Sequence, residues 1–295
     1  KEFKNIYSSK LIKFLPYTLT GGQKKIINEI EVDLRSQLRM FRILQGDVGS
    51  GKTIIAIISA LNTIEAGYQC GLMVPTGILA EQHFDLLNKQ ITQSSLNIKI
   101  ALLTGKTELK QRKKILNDLR NNRINFLIGT HALFQESILF NKLGLIIIDE
   151  QHKFGVQQRI KFAKKGGINC DVLLMSATPI PRTMMMSIYG DMDTSRLTEK
   201  PSQRKKISTL SKPEKKIDDL WPFIEKKIKN NEQVFWVCPL IEDSKKLDFS
   251  STTKMFEIIN KRFHKKVGFI HGSLDQDEKD IDLKKFLNNE ISILV

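Results

Sequence analysis

MFRILQGDVGSGKTIIAIISALNTI (40–64) decides the fold. MFRILQ (40–45) is apolar enough for a buried strand, and IIAIISALNTI (54–64) is a helix apolar enough to pack against a sheet. Between them, Gly46-Asp47-Val48-Gly49-Ser50-Gly51-Lys52-Thr53 fits G-x-x-x-x-G-K-[ST]. Glycines at that spacing let the backbone curl with its N–H groups aimed at phosphate oxygens, and the helix opening behind the loop adds the positive end of its dipole. Lys52 supplies positive charge for the β- and γ-phosphates, and the Thr53 hydroxyl is a ligand for Mg²⁺. The strand-loop-helix setting makes this a nucleotide-binding segment rather than a Gly-rich turn.

Apolar runs of strand length recur at CGLMVP (70–75), IKIALL (98–103), NFLIG (125–129), LGLIIID (143–149) and DVLLMS (171–176). Helices are expected at about 52–66, 77–90, 108–121 and 155–164. Strands apolar on both faces, alternating with helices, predict an α/β fold with a covered parallel sheet. EKPSQRKKISTLSKPEKK (199–216), with two prolines and a basic excess, breaks the rhythm as a linker does. The rhythm then resumes with a helix near 214–229, strand QVFWVCP (233–239), a helix near 252–263, strand KVGFIH (266–271), a helix near 276–288 and strand ISILV (291–295). The expected division is a linker over 1–17, a first domain over 18–199, a linker over 200–213 and a second domain over 214–295.

LGLIIID ends in Asp149-Glu150-Gln151-His152. A carboxylate at the carboxyl end of a strand beside the phosphate-loop strand is where Mg²⁺ takes its second protein contact, usually through water, so Asp149 is the metal candidate. Glu150 is then placed to orient and deprotonate the attacking water. His152 is either a solvated loop residue or a relay toward the second domain, and spacing does not choose between them.

Composition bounds the setting. The 295 residues are 41% hydrophobic, and no apolar run approaches the ~20 residues a membrane-spanning helix needs. Cys70, Cys170 and Cys238 are scattered in or beside apolar stretches, with neither disulfide nor zinc spacing, so buried thiols in a reducing, cytoplasmic compartment are expected. The net charge of +15 attracts polyanions. A Lys-for-Arg bias in a Lys- and Asn-rich chain accounts for that excess equally well.

Further motifs, in order, give a resemblance. LPYTLTGGQ (15–23) resembles a Q motif, MVPTGILAEQH (73–83) motif Ia, LLTG (102–105) motif Ib and IGTHALFQ (128–135) the next strand-contacting motif. DEQHKFGVQQR (149–159) resembles motif II with an extension, SATPIPRT (176–183) motif III, QVFWVCPLIEDS (233–244) the opening of the second domain, and FIHGSLDQDEK (269–279) motif IVa. The chain is similar to superfamily 2 ATP-dependent DNA helicases, and within them to the RecG family. That resemblance implies a RecA-like P-loop NTPase domain followed by a second, partial RecA-like domain, with ATP and Mg²⁺ in the cleft between them. It assigns the adenine edge to Gln23 and coupling of nucleotide state to domain contacts to Gln151, His152, Ser176 and Thr178. DNA would cross Pro75-Thr76, Thr104-Gly105 and Thr130-His131. The implied partners are double-stranded or branched DNA, namely Holliday junctions and replication forks, met by a monomer. The family's wedge domain would precede Lys1, and its motifs V and VI, including the arginine finger, would follow Val295, so weak hydrolysis is expected of the segment alone.

Two positions depart from the pattern: Gly77 stands where Glu is usual, and Lys153 where Arg is usual. The first weakens a helix start, and the second keeps charge but loses the planar fork. A transcription–repair coupling translocase resembles the chain closely, but usually carries other residues at the places of Ser50, Gln151 and Ser176. A truncated remnant that binds nucleotide or DNA without turnover is the remaining alternative.

Overall fold

The computed structural model describes residues 1–135, 137–150, 170–178, 192–199, 207–238, 245–264 and 266–295. The chain divides into two units, Lys1–Lys205 and Lys206–Val295. Unit 1 is built on a seven-stranded parallel sheet. Its strands are β1 (Phe41–Gly46), β2 (Gln69–Met73), β3 (Ile100–Leu103), β4 (Phe126–Gly129), β5 (Leu143–Ile148), β6 (Asp171–Ser176) and β7 (Asp193–Leu197). Their order is β3-β4-β2-β5-β6-β1-β7.

The central strands are apolar on both faces because each face has its own core. On β5, Leu145 and Ile147 enter one cluster while Ile146 and Ile148 enter the other. Likewise Leu44 and Ile43 of β1 point to opposite sides, as the two-residue strand period requires. The first core is shared with α1 (Ile6–Lys13), α2 (Gly21–Arg35), α3 (Lys52–Glu65) and α4 (Gly77–Gln93), and the second with α5 (Leu109–Arg120).

α3 explains an element that sequence reading assigns to a linker. Residues Ile54 to Ile64 are buried right round the helix, so the sheet covers one side and another layer has to cover the other. α1 and α2 pack on it, with Leu11 only 1% exposed and Phe3 also buried. Burying a leucine side chain contributes about 1.5–3 kcal/mol. Residues 1–17 therefore differ from the expected linker: Phe3 and Leu11 enter the core of unit 1, with Tyr7 and Leu15 partly buried against it.

β7 escapes sequence reading for the opposite reason. DTSRL is an edge strand with a mostly exposed, polar surface, and it pairs with β1 alone. What holds it is Arg42 of β1. Its Nε lies 2.7 Å from Asp33 Oδ2 of α2, and its Nη1 donates to Ser195 Oγ of β7 at 2.8 Å. Ser195 Oγ in turn donates to Glu29 Oε2 of α2 at 2.6 Å.

Unit 2 has a three-stranded parallel sheet in the order β8-β10-β9, from β8 (Val234–Phe235), β9 (Val267–Gly268) and β10 (Ile293–Leu294). Its helices are α6 (Leu220–Lys229), α7 (Lys245–Phe263) and α8 (Gln276–Leu287). Trp221 stacks on Trp236 with ring centroids 5.4 Å apart, over a core that includes Ile224, Ile259 and Ile293. The expected helix over 155–164 lies outside the described residues, whereas α7 starts seven residues before its expected beginning. Cys70 and Cys170 are buried, and burial pushes the Cys170 thiol up to about 12 and Cys70 well above its ordinary value. Cys238 is half-buried rather than buried. Among the described residues no helix is long and apolar enough to cross a membrane.

Candidate functional site

The loop between β1 and α3 takes its shape from glycine. Gly49 has φ +73° and Gly51 φ +94°, both in the left-handed region that side chains resist. Space adds a second constraint at Gly51, where a Cβ would collide with Gln23 Nε2. A Cβ on Gly46 would meet Ser50 Oγ at 2.8 Å. Asp47 closes the turn, its carbonyl accepting from Ser50 N at 3.1 Å and its Oδ1 from Val48 N at 2.8 Å. Val48 is exposed at the tip. Ser50 Oγ is buried and has no hydrogen-bond partner among the described residues. A curled backbone at a helix N-terminus, with an orphaned hydroxyl and an ammonium group, fits a chain of phosphates.

Lys52 opens α3 and lies buried across this loop, donating from Nζ to Gly46 O at 2.5 Å and to Asp47 O at 3.1 Å. Burial pushes its pKa down, against the opposing pull of Asp149, Glu150 and Asp47. Thr53 follows in the same first turn, half-buried.

Gln23 sits at the start of α2 and is 2% exposed. Its Nε2 donates to Ser50 O at 3.0 Å, and its Oε1 accepts from Thr20 N at 2.9 Å. Thr20 Oγ1 accepts from Gln23 N at 3.2 Å, completing a capping box. One N–H and one lone pair of the carboxamide remain beyond these bonds. The side chain expected at an adenine edge is thus also a strut under the phosphate loop. Glu199, just past β7, adds a brace: Oε2 accepts from Gly22 N at 2.9 Å, which holds its carboxyl below the ordinary range.

Asp149 continues β5, its N–H donating to Met73 O at 2.8 Å. Its Oδ1 accepts from Glu150 N at 2.9 Å, and its Oδ2 lies 3.5 Å from His83 Nε2 of α4. Glu150 holds φ +48°, a left-handed conformation that is costly for a side-chain-bearing residue and concentrates at functional sites. β5 is not beside the phosphate-loop strand, because β6 lies between them. Order along the chain does not give order in a sheet built by crossovers. Among the expected coupling residues, Ser176 ends β6 in register with Gln45 of β1, so it stands between the loop and the carboxylates. Its Oγ donates to Thr178 O at 3.0 Å and lies 3.1 Å from Thr178 Oγ1. Gln151, His152 and Lys153 lie outside the described residues.

The other half of the same rim carries the three expected DNA segments. Met73, Gly129 and Leu103 are paired across β2, β4 and β3, so the residues that follow emerge side by side. Thr76, Gly105 and His131 are exposed there, and Pro75 is half-buried. Thr104 and Thr130 are buried, and Thr104 Oγ1 accepts from Lys106 N at 3.3 Å within its own loop. Sequence reading missed His83, Glu199 and the Arg42 cluster. The Thr20–Gln23 capping spacing is a local signal and Arg42–Asp33 spans nine residues, whereas Gly22–Glu199, Arg42–Ser195 and His83–Asp149 each join segments more than sixty residues apart.

Comparisons with known proteins give consistent relatives. The model of the DEAD/DEAH box helicase family matches residues 20–187. The chain is 44% identical over 297 residues to the ATP-dependent DNA helicase RecG of Bacillus subtilis (strain 168), covering 100% of this chain and 43% of that protein. It is 43% identical over 297 residues to the RecG of Thermotoga maritima, covering 100% of this chain and 38% of the relative. The chain thus spans about two fifths of the length of these curated relatives. A solved structure of RecG bound to a three-way DNA junction superposes with TM-score 0.83 at 40% identity, covering 100% of this chain and 38% of that one. The DEAD-box helicase Mss116, solved with single-stranded RNA and UDP-BeF, shares the fold at TM-score 0.70 and 20% identity, over 98% of this chain and 63% of its own.

Proposed function

Because the chain belongs to the DEAD/DEAH box helicase family, we propose that it is the motor segment of a RecG-type ATP-dependent DNA helicase. In this reading it couples ATP hydrolysis to translocation on double-stranded DNA. The work done is branch migration and fork regression at Holliday junctions and stalled forks, in cytoplasmic recombination and repair. The observation that carries the reading is the sheet order. It sets the phosphate loop, Ser176–Thr178 and Asp149–Glu150 on consecutive strands, and the three candidate DNA segments on the next three.

Lys52 places its ammonium group at the β- and γ-phosphates of ATP, where it offsets negative charge. Its depressed pKa follows from burial, and triphosphate charge works against that depression. The Thr53 hydroxyl and, through water, Asp149 would hold magnesium, which would supply further charge neutralisation on the phosphates. Glu150 accepts the proton of the attacking water. Gln23 fixes the loop from below, and in this reading its remaining hydrogen-bonding capacity would be offered to the base. Ser176 and Thr178, between the two halves of the site, carry the nucleotide state outward. Thr76, Gly105 and His131 hold the DNA backbone through exposed amides and side chains.

The test is ATPase activity of the full-length protein with a three-way junction, linear duplex or RNA. Glu150→Gln is expected to keep ATP affinity and lose about 10²–10⁴ in kcat, the share a general base supplies. Lys52→Ala is expected to lose both. Full activity in Glu150→Gln removes the base assignment, and equal stimulation by RNA and branched DNA sinks the RecG-type reading.

A further inference from the structure

The candidate DNA rim reaches the sheet edge at β3, and the helix that follows carries positive charge onward. α5 turns Ile115 and Leu119 into the core and leaves Lys110, Lys113 and Lys114 exposed. None of the three has a carboxylate within ion-pair distance among the described residues. The one acidic residue in the helix, Asp118, lies 3.6 Å from Arg123 instead. Lys110 is spaced three and four residues from the other two, so like charges sit on one helix face and repel. The only acidic residue at the helix start is the exposed N-cap Glu108, one carboxylate against three lysines, and none lies in the first turn. This arrangement opposes the helix's own stability and suits a polyanion.

The patch is also fixed to the rim. α5 begins four residues after Gly105. Arg112 donates to Gln135 Oε1, in the segment that follows β4 and contains His131. We propose that the Lys110–Lys113–Lys114 face is a further binding surface for the DNA phosphate backbone, continuous with the Gly105 and His131 loops. It rests on the DNA-binding reading above and extends that surface beyond the motif residues.

Salt dependence tests it. The full-length protein is titrated with a fluorescein-labelled three-way junction between about 50 and 200 mM salt, where each phosphate contact on duplex contributes about 0.9 to the slope of log affinity against log salt. The triple variant Lys110→Gln, Lys113→Gln, Lys114→Gln keeps helix propensity nearly constant, and unchanged ATP affinity reports an intact fold. A control replaces Lys4, Lys10 and Lys13, which are exposed at or on α1, with glutamine. α1 packs on the opposite sheet face from α5, and the control removes equal charge. The α5 variant is expected to bind at least tenfold more weakly at the lowest salt, with its slope shallower by about 0.9 per lost contact, while the control matches wild type. An unchanged slope, or an equal loss in the control, overturns this surface and leaves the motif-based reading standing. Wild type that fails to bind the junction overturns both.

Discussion

Gly77 opens α4 behind a Thr76 cap whose Oγ1 accepts from Leu79 N at 3.3 Å. A Cβ there meets nothing within 4 Å, so neither packing nor close approach demands glycine. Gly77→Glu is expected to stabilise the chain by about 1 kcal/mol, from helix propensity and a carboxylate at the positive helix end. A raised urea midpoint at constant m-value checks this, and a lowered midpoint refutes it. Gly51 is the opposite case, held by both its φ and the Gln23 carboxamide. Sequence pattern marks Gly51 as essential and Gly77 as unusual. The structure supplies the reasons: one glycine is confined and the other is not.

At the scale of elements, α2 and β7 are joined through Arg42, which lies within 3.7 Å of Glu29, Asp33 and Asp193. Arg42 is nearly buried, so its removal leaves carboxylates facing one another without a counter-charge. Arg42→Ala is expected to cost about 3 kcal/mol, near the low end for breaking a buried pair because Asp33 and Glu29 keep some solvent access. It should also weaken ATP binding, since α2 carries Gln23 to the phosphate loop. Chemical denaturation and nucleotide titration measure the two effects, and a loss below 1 kcal/mol contradicts the account. The apolar strands β1, β2 and β4 to β6 are legible because burial on both faces leaves a continuous apolar run, and the edge strand β3 is legible because IALL is apolar throughout although only alternate residues are buried. β7 is not, since an edge strand held by side-chain bonds carries no such run. α2 shows in the sequence as a motif, and the Thr20–Gln23 capping spacing marks where the helix begins.

At the scale of the molecule, each unit has its own core, with Trp221 and Ile293 in the second having no part in the first. Such chains depart from two-state unfolding. Calorimetry is expected to resolve two transitions, and a non-hydrolysable ATP analogue at 100 times its Kd should add about 2.7 kcal/mol to that of Lys1–Lys205 alone. A single transition, or an equal shift of both, contradicts this. The sequence by itself determined the phosphate loop, the acidic strand end and the alternating α/β plan, because these rest on local spacing and on apolar runs. Tertiary structure alone decided that β6 separates the loop from the carboxylates, that Gln23 braces the loop, and that His83 lies beside Asp149. Each of these depends on which distant segments a crossover brings together, and spacing along a chain does not encode that order.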